Sequence, residues 1–158
     1  MQNITPCLWF DTEGEEAAQL YTSIFPNSKI TDVGYYGEAG PRPAGTVMAV
    51  SFQLNGQDFV ALNGGPEFTF SEAISFQVYC DSQDEVDEYW DKLTADGGQP
   101  GPCGWLKDKF GLSWQIVPTR LMELLKDPDQ ARAQRAMAAM LTMGKIDVAA
   151  VERAADGS

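Results

Sequence analysis

The chain carries one succession of elements twice, and that repeat constrains its fold more than any other feature. Each copy opens with a strand, residues 4–10 and 74–80. Each strand leads into a helix-start signature, Thr12-Glu13-Gly14-Glu15 and Ser82-Gln83-Asp84-Glu85. In both, a hydroxyl is followed three residues later by a carboxylate, the pattern of a capping box. Each signature opens a helix with an i, i+3, i+4, i+7 apolar stripe. The stripes are Ala17, Leu20, Tyr21 and Ile24, then Val86, Tyr89, Trp90 and Leu93. Pro26-Asn27 ends the first helix and Asp96-Gly97-Gly98 the second. Three strands follow each helix: residues 29–36, 46–54 and 57–63, then 99–103, 104–109 and 112–117. Agreement of stripes, start signals and element order at a period of about 70 residues predicts a βαβββ unit made twice.

The fold class that follows is α+β. Two βαβββ modules, about 1–66 and 72–118, form one domain with a curled mixed β-sheet. Each helix has one apolar stripe to bury, so both should cover the same side of a continuous sheet. The other side, curved by its twist, is then a cleft. Asn55-Gly56 between two alternating runs is a strong two-residue hairpin signal. Residues 37–45, GEAGPRPAG, read as a loop. After Pro118 the pattern turns helical, and residues 119–158 form a C-terminal helical extension. Its segments are 119–126, a helix running to about Met143, and 147–155. The Met-rich stripe Met137, Met140 and Met143 reads as packing, on the helical side of the sheet or on a second subunit.

Composition then excludes several functions. The chain has no histidine, which removes Ser-His-Asp and Cys-His dyads, histidine bases and histidine metal ligands together. Its net charge of −12 argues against nucleic acid or an anionic membrane as partner. No apolar run approaches the ~20 residues of a membrane span. Cys7, Cys80 and Cys103 are widely spaced and odd in number, so reduced thiols are expected. The start, MQNITPCLWF, lacks the basic and apolar segments of a signal peptide, and a cytoplasmic location is expected.

A Ser-aromatic-Gln-aliphatic motif recurs on three strands: Ser51-Phe52-Gln53-Leu54, Ser75-Phe76-Gln77-Val78 and Ser113-Trp114-Gln115-Ile116. Regular alternation puts Gln53, Gln77 and Gln115 on one face with the three serines. Such a floor of amides and hydroxyls could hydrogen-bond a polar ligand, or simply face solvent. Trp9, Tyr35, Tyr36, Phe68, Phe70 and Trp105 are candidate aromatic walls, competing with plain core packing. Cys7 falls on the cleft face but has no histidine to activate it, so inert packing is the reading for it. Lys107-Asp108-Lys109 reads as a solvated turn, with an anion contact by Lys107 the alternative.

The double unit resembles the vicinal oxygen chelate superfamily, which includes glyoxalase I, extradiol dioxygenases and the bleomycin-resistance proteins. Within it the chain is similar to the PhnB-like family, labelled 3-demethylubiquinone-9 3-methyltransferase. The segments that carry this are ITPCLWFD (4–11), EEAAQLYTSIFPNS (15–28), LNGGPEFTFSEAISFQV (62–78) and CGWLKDKFGLSWQIVP (103–118), with Lys145-Ile146-Asp147 in the tail. Superfamily enzymes hold a divalent metal with His, Glu or Gln on the outer strands of each module. By element order those positions fall near Thr5, Ala61 or Asn63, Ala73 and Gln115. Neutral amides and a hydroxyl are poor ligands for such metals, so no metal and no cofactor is expected. The methyltransferase label finds no support in a glycine-rich loop between a first strand and a helix.

The resemblance implies a small-molecule binding protein of the glyoxalase/bleomycin-resistance type, while the residues and the net charge argue for no metal, no nucleic acid and no membrane partner. The expected ligand-binding residues are Gln53, Asn63, Gln77, Gln115, Trp9, Tyr36, Phe68 and Trp105. A homodimer is expected, since superfamily members commonly pair. The alternative is an enzyme of the same superfamily, a lyase, isomerase or methyltransferase.

Overall fold

The computed structural model describes residues 3–158; Met1 and Gln2, the start of the first module as read from sequence, lie outside the described residues. The chain divides into two compact units, 1–70 and 71–158. The mixed sheet is present as two four-stranded sheets, one per module. The architecture is α+β, two βαβββ modules followed by C-terminal helices.

In the first unit, β1 (Cys7–Phe10), α1 (Gly14–Ile24), β2 (Lys29–Tyr35), β3 (Val47–Leu54) and β4 (Gln57–Asn63) follow in that order. The sheet runs β1-β4-β3-β2, with β1 parallel to β4 and the other pairs antiparallel. Asn55 and Gly56 both take positive φ, 49° and 81°, as the predicted tight hairpin requires. Leu8 and Phe10 point to the buried side of β1, and Val50, Phe52 and Leu54 do the same on β3. On α1 they meet Ala17, Ala18, Tyr21 and Ile24; Leu20 of the expected stripe is only half-buried. Phe52 stacks on Phe59 at 5.4 Å and lies 6.3 Å from Tyr21, ring centre to ring centre. Burial of each such side chain contributes about 1.5–3 kcal/mol.

The Thr12 capping box does not form. α1 starts at Gly14 with Glu13 as its N-cap, and neither side chain caps the helix. Asn63 does so from across the unit, its Oδ1 accepting from Gly14 N at 2.7 Å. A carbonyl oxygen delivered by β4 satisfies the first free N–H that a local hydroxyl was expected to satisfy.

The second unit holds β5 (Ser75–Cys80), α2 (Gln83–Thr94), β6 (Gln99–Pro100), β7 (Trp105–Lys107) and β8 (Ser113–Pro118). Its sheet order is β5-β8-β7-β6, the same arrangement as in the first unit. Here the hydroxyl bond of the capping box forms, and the reciprocal carboxylate bond goes one residue before the N-cap. Ser82 Oγ accepts from Glu85 N, and Glu85 Oε2 accepts from Asp81 N. Val86, Trp90 and Leu93 of α2 bury against the face carrying Leu106, Trp114 and Ile116. β6 and β7 are shorter than expected because the chain between them turns tightly, with Cys103 and Gly104 both at positive φ.

The helices α3 (Thr119–Leu125), α4 (Gln130–Met140) and α5 (Val148–Ala155) complete this unit. They build a small core of their own from Leu121, Leu124, Ala136, Ile146, Val151 and Ala155, with Met140 and Met143 against it. Gln83 of α2 ties them down, donating to Ile146 O at 3.0 Å and accepting from Val148 N at 2.8 Å. Lys145 pairs with Asp87 at 2.8 Å beside it. No helix among the described residues is long and apolar enough to cross a membrane.

Candidate functional site

The second sheet turns one face to α2 and leaves the other open. Register fixes what the open face presents. Ser75, Gln77 and Tyr79 of β5 lie opposite Ser113, Gln115 and Val117 of β8. Trp105 and Lys107 of β7 lie opposite Gln115 and Ser113 from the other side. Because side chains alternate along each strand, these residues share one surface.

The amides on that surface form a hydrogen-bonded row. Tyr79 OH donates to Gln77 Oε1 at 2.8 Å, Gln77 Nε2 to Gln115 Oε1 at 3.4 Å, and Gln115 Nε2 to Ser75 Oγ at 2.8 Å. Gln77 and Tyr79 are exposed and Gln115 half-buried, so the row is within reach of a ligand. Tyr79 was not among the residues expected here, although its place two after Gln77 on the same strand was the signal for it.

Beside the row is a cavity of about 400 Å³, lined by Trp105, Leu106, Lys107, Ser113, Glu72 and the 99–102 segment. Its walls are mainly apolar, including Pro100 and Pro102. Ser113 is only 1% exposed, and its Oγ has no hydrogen-bond partner in the protein. Lys107 forms an ion pair with Glu72, which holds the Glu72 carboxyl below the usual range.

In the first unit the expected residues separate into groups. Gln53 lies on the open face and donates to Asp58 Oδ1 at 2.8 Å. Trp9 is on that face too, its indole donating to Gly65 O at 2.8 Å and its ring edge-on to Phe68 at 4.9 Å. Gly64 lies so close beneath Trp9 that a Cβ would stand 2.4 Å from the indole ring. Phe68 is 61% exposed. Asn63 lies on the opposite, helix-covered face, 5% exposed, its Nδ2 donating to Val47 O and its Oδ1 engaged by Gly14. Tyr36 is buried with it, its hydroxyl donating to the Asn63 carbonyl at 2.6 Å. The structure thus joins Gln77 to Gln115, sets Trp105 beside them, and pairs Trp9 with Phe68 and Tyr36 with Asn63.

The metal of the superfamily's enzymes finds no fitting donors here. Ala61 and Ala73 offer none, and both ends of the Asn63 amide are committed to the fold. The Gln115 amide is engaged at both ends by Gln77 and Ser75. Among the described residues, no three His, Cys, Asp or Glu side chains group to hold a metal. Cys7 is exposed, but partial burial raises its thiol pKa, the opposite of what a nucleophile needs.

Two βαβββ modules with this strand order define the fold of the vicinal oxygen chelate superfamily. The sequence model of the 3-demethylubiquinone-9 3-methyltransferase family matches residues 2–117, and the chain belongs to that PhnB-like family. It is similar to a PhnB protein from Bacillus cereus at 38% identity, covering 74% of this chain and 99% of that one, with a TM-score of 0.66. A Pseudomonas aeruginosa protein shares the fold at 19% identity and TM-score 0.61, over 75% of this chain and 98% of its own. The fosfomycin resistance protein FosX from Listeria monocytogenes does so at 16% identity and TM-score 0.51, over 75% and 93%. No match is found among functionally curated proteins.

Proposed function

We propose that this protein binds a small molecule, without a metal ion, over the open faces of its sheets. The observation that carries the reading is the row Tyr79, Gln77, Gln115 and Ser75, four polar side chains oriented by one another on an accessible sheet face. Oriented amides offer both donors and acceptors, so they suit a polar or aromatic metabolite. Gln53 with Asp58, and Trp9 with Phe68, are the corresponding contacts in the first module. Asn63 and Tyr36 act behind this surface, holding α1 and β4 in place. The bleomycin-resistance branch is the functional analogue.

A thermal-shift screen of a metabolite library tests this. A ligand that raises the melting temperature of the wild type should fail to do so for the Gln77→Leu, Gln115→Leu double variant. The melting temperature of the unliganded protein should stay unchanged. A ligand shift equal in both proteins sinks the reading. S-adenosylmethionine is tested separately by calorimetry, and heat of binding from it would favour the methyltransferase the family label names.

The same proposal includes a cytoplasmic homodimer. Free cysteines and the acidic composition support the location. Exposed Tyr35, Ile74 and Leu141, at 58%, 69% and 62%, support an apolar contact between copies. Light scattering behind a sizing column would show twice the 17.3 kDa chain mass.

A further inference from the structure

We infer that the cavity beside Trp105 is a subsite for an aromatic carboxylate, and that Glu72 stands in for the ligand's carboxylate in the free protein. This rests on the reading that the open face of the second sheet binds a small molecule. The volume, about 400 Å³, is within the range of about 300–1,000 Å³ common for small-molecule sites. Trp105, Pro100 and Pro102 provide the flat apolar walls that a ring would occupy.

Two polar groups give the site its sign. Ser113 Oγ is buried and unpartnered, a donor held ready at the cavity wall. Lys107 is on β7, a strand bonded on both sides, so its backbone is held, and its side chain is the less exposed of the pair at 40%. Its partner Glu72 lies in the turn before β5, and its side chain is 63% exposed. If one member of this pair is displaced, it is the loop carboxylate, not the strand ammonium. What replaces Glu72 must then be an anion. A ligand carboxylate would take the Lys107 ammonium with one oxygen and accept from Ser113 with the other.

The wall is braced from behind. Cys103 N donates to Met143 O at 2.7 Å and Gly104 N to Gly144 O at 2.8 Å, so the C-terminal segment holds the loop that carries Trp105. Gly104 has φ of 83°, and a Cβ there would stand 2.9 Å from Ile116 O. A site held this way loses little freedom when a ligand enters.

Calorimetry on the full chain with benzoate, benzamide, acetate and benzylamine tests the inference. Glu72→Ala removes the competing carboxylate and should tighten benzoate about two- to fivefold, the worth of an exposed ion pair. Lys107→Met should weaken benzoate by about tenfold or more. Benzamide, without the charge, should respond to neither change, and acetate, without the ring, should not bind. Equal benzoate affinity in all three proteins overturns the subsite, as does an absence of benzoate binding to the Glu72→Ala protein at millimolar concentration. Tighter binding of benzylamine than of benzoate to the wild type would show the opposite polarity and overturn it too. If the Gln77→Leu, Gln115→Leu variant still abolishes a library ligand's shift in those cases, the open-face reading stands and only the subsite falls.

Discussion

Trp114 donates its indole N–H to Asp108 Oδ2 at 2.9 Å, and both residues are almost fully buried. The other carboxylate oxygen accepts from the backbone of Phe110 at 2.8 Å and Leu112 at 3.1 Å. One side chain therefore holds the turn between β7 and β8 and fixes it to the core behind the sheet. Replacing Asp108 by Ala strands three donors, two of them in buried residues. The expected cost is about 2–5 kcal/mol, read as a lower urea midpoint with an unchanged slope. Asp108→Asn should fall between, since its oxygen can keep the turn while its amide nitrogen would face the indole N–H. A loss below about 1 kcal/mol for the Ala variant would contradict this role.

Asp108 also shows where sequence reading stops. In Lys107-Asp108-Lys109 the aspartate looks like part of a solvated charge run. Its burial depends on Trp114 reaching back from the next strand, which no local pattern encodes. The elements themselves were legible, because alternation and helical stripes report burial directly: Phe52, Trp90 and Ile116 lie where their spacing put them. The amide row was legible in part. The Ser-aromatic-Gln motif placed Gln77 and Gln115 on one face, and strand pairing alone could reveal that they bond to each other. Asn63 reads from sequence as a ligand-binding residue, and its bonds to Gly14 and Val47 escape that reading because both partners are distant in sequence. The Lys107–Glu72 pair was hidden for the same reason.

Gly14 should tolerate no side chain. Alanine in place of glycine in an exposed helix stabilises by about 1 kcal/mol. At Gly14 the added Cβ would stand 2.6 Å from Asn63 Oδ1 and 3.3 Å from the Ala61 Cβ. Asn63 must then move, and its bonds to Gly14 N and Val47 O go with it. Gly14→Ala should therefore destabilise by about 1–3 kcal/mol in urea unfolding. A more stable variant would show that Asn63 does not cap α1.

Gln83 should govern how tightly the C-terminal helices are held. Its amide donates to Ile146 O and Asp87 Oδ1 and accepts from Val148 N, three bonds from one side chain. Gln83→Ala leaves the core of Leu121, Leu124 and Val151 intact but frees the start of α5. Amide exchange at residues 146–155 should accelerate by about tenfold or more, while exchange in β5 and β8 stays slow. Uniform acceleration across the unit would mean that the helices and the sheet open together.

Cys80 provides a pH signature. Its thiol is 1% exposed, and burial, with Glu85 and Asp81 adding to it, pushes the pKa up to about 12 from an ordinary 9.0. At pH 8 about one thiol in ten thousand would be ionised, so iodoacetamide should modify exposed Cys7 in the native protein and leave Cys80 untouched until unfolding. The sign of the stability effect follows from proton binding. The folded thiol keeps its proton where the unfolded one has lost it, so this contribution is complete below about pH 9 and is lost as pH rises toward 12. Tyr89, raised by burial as well, acts in the same direction. Cys80→Ala should flatten, not abolish, the fall of urea stability above pH 9. An unchanged slope, or rapid alkylation of native Cys80, would place this thiol in water.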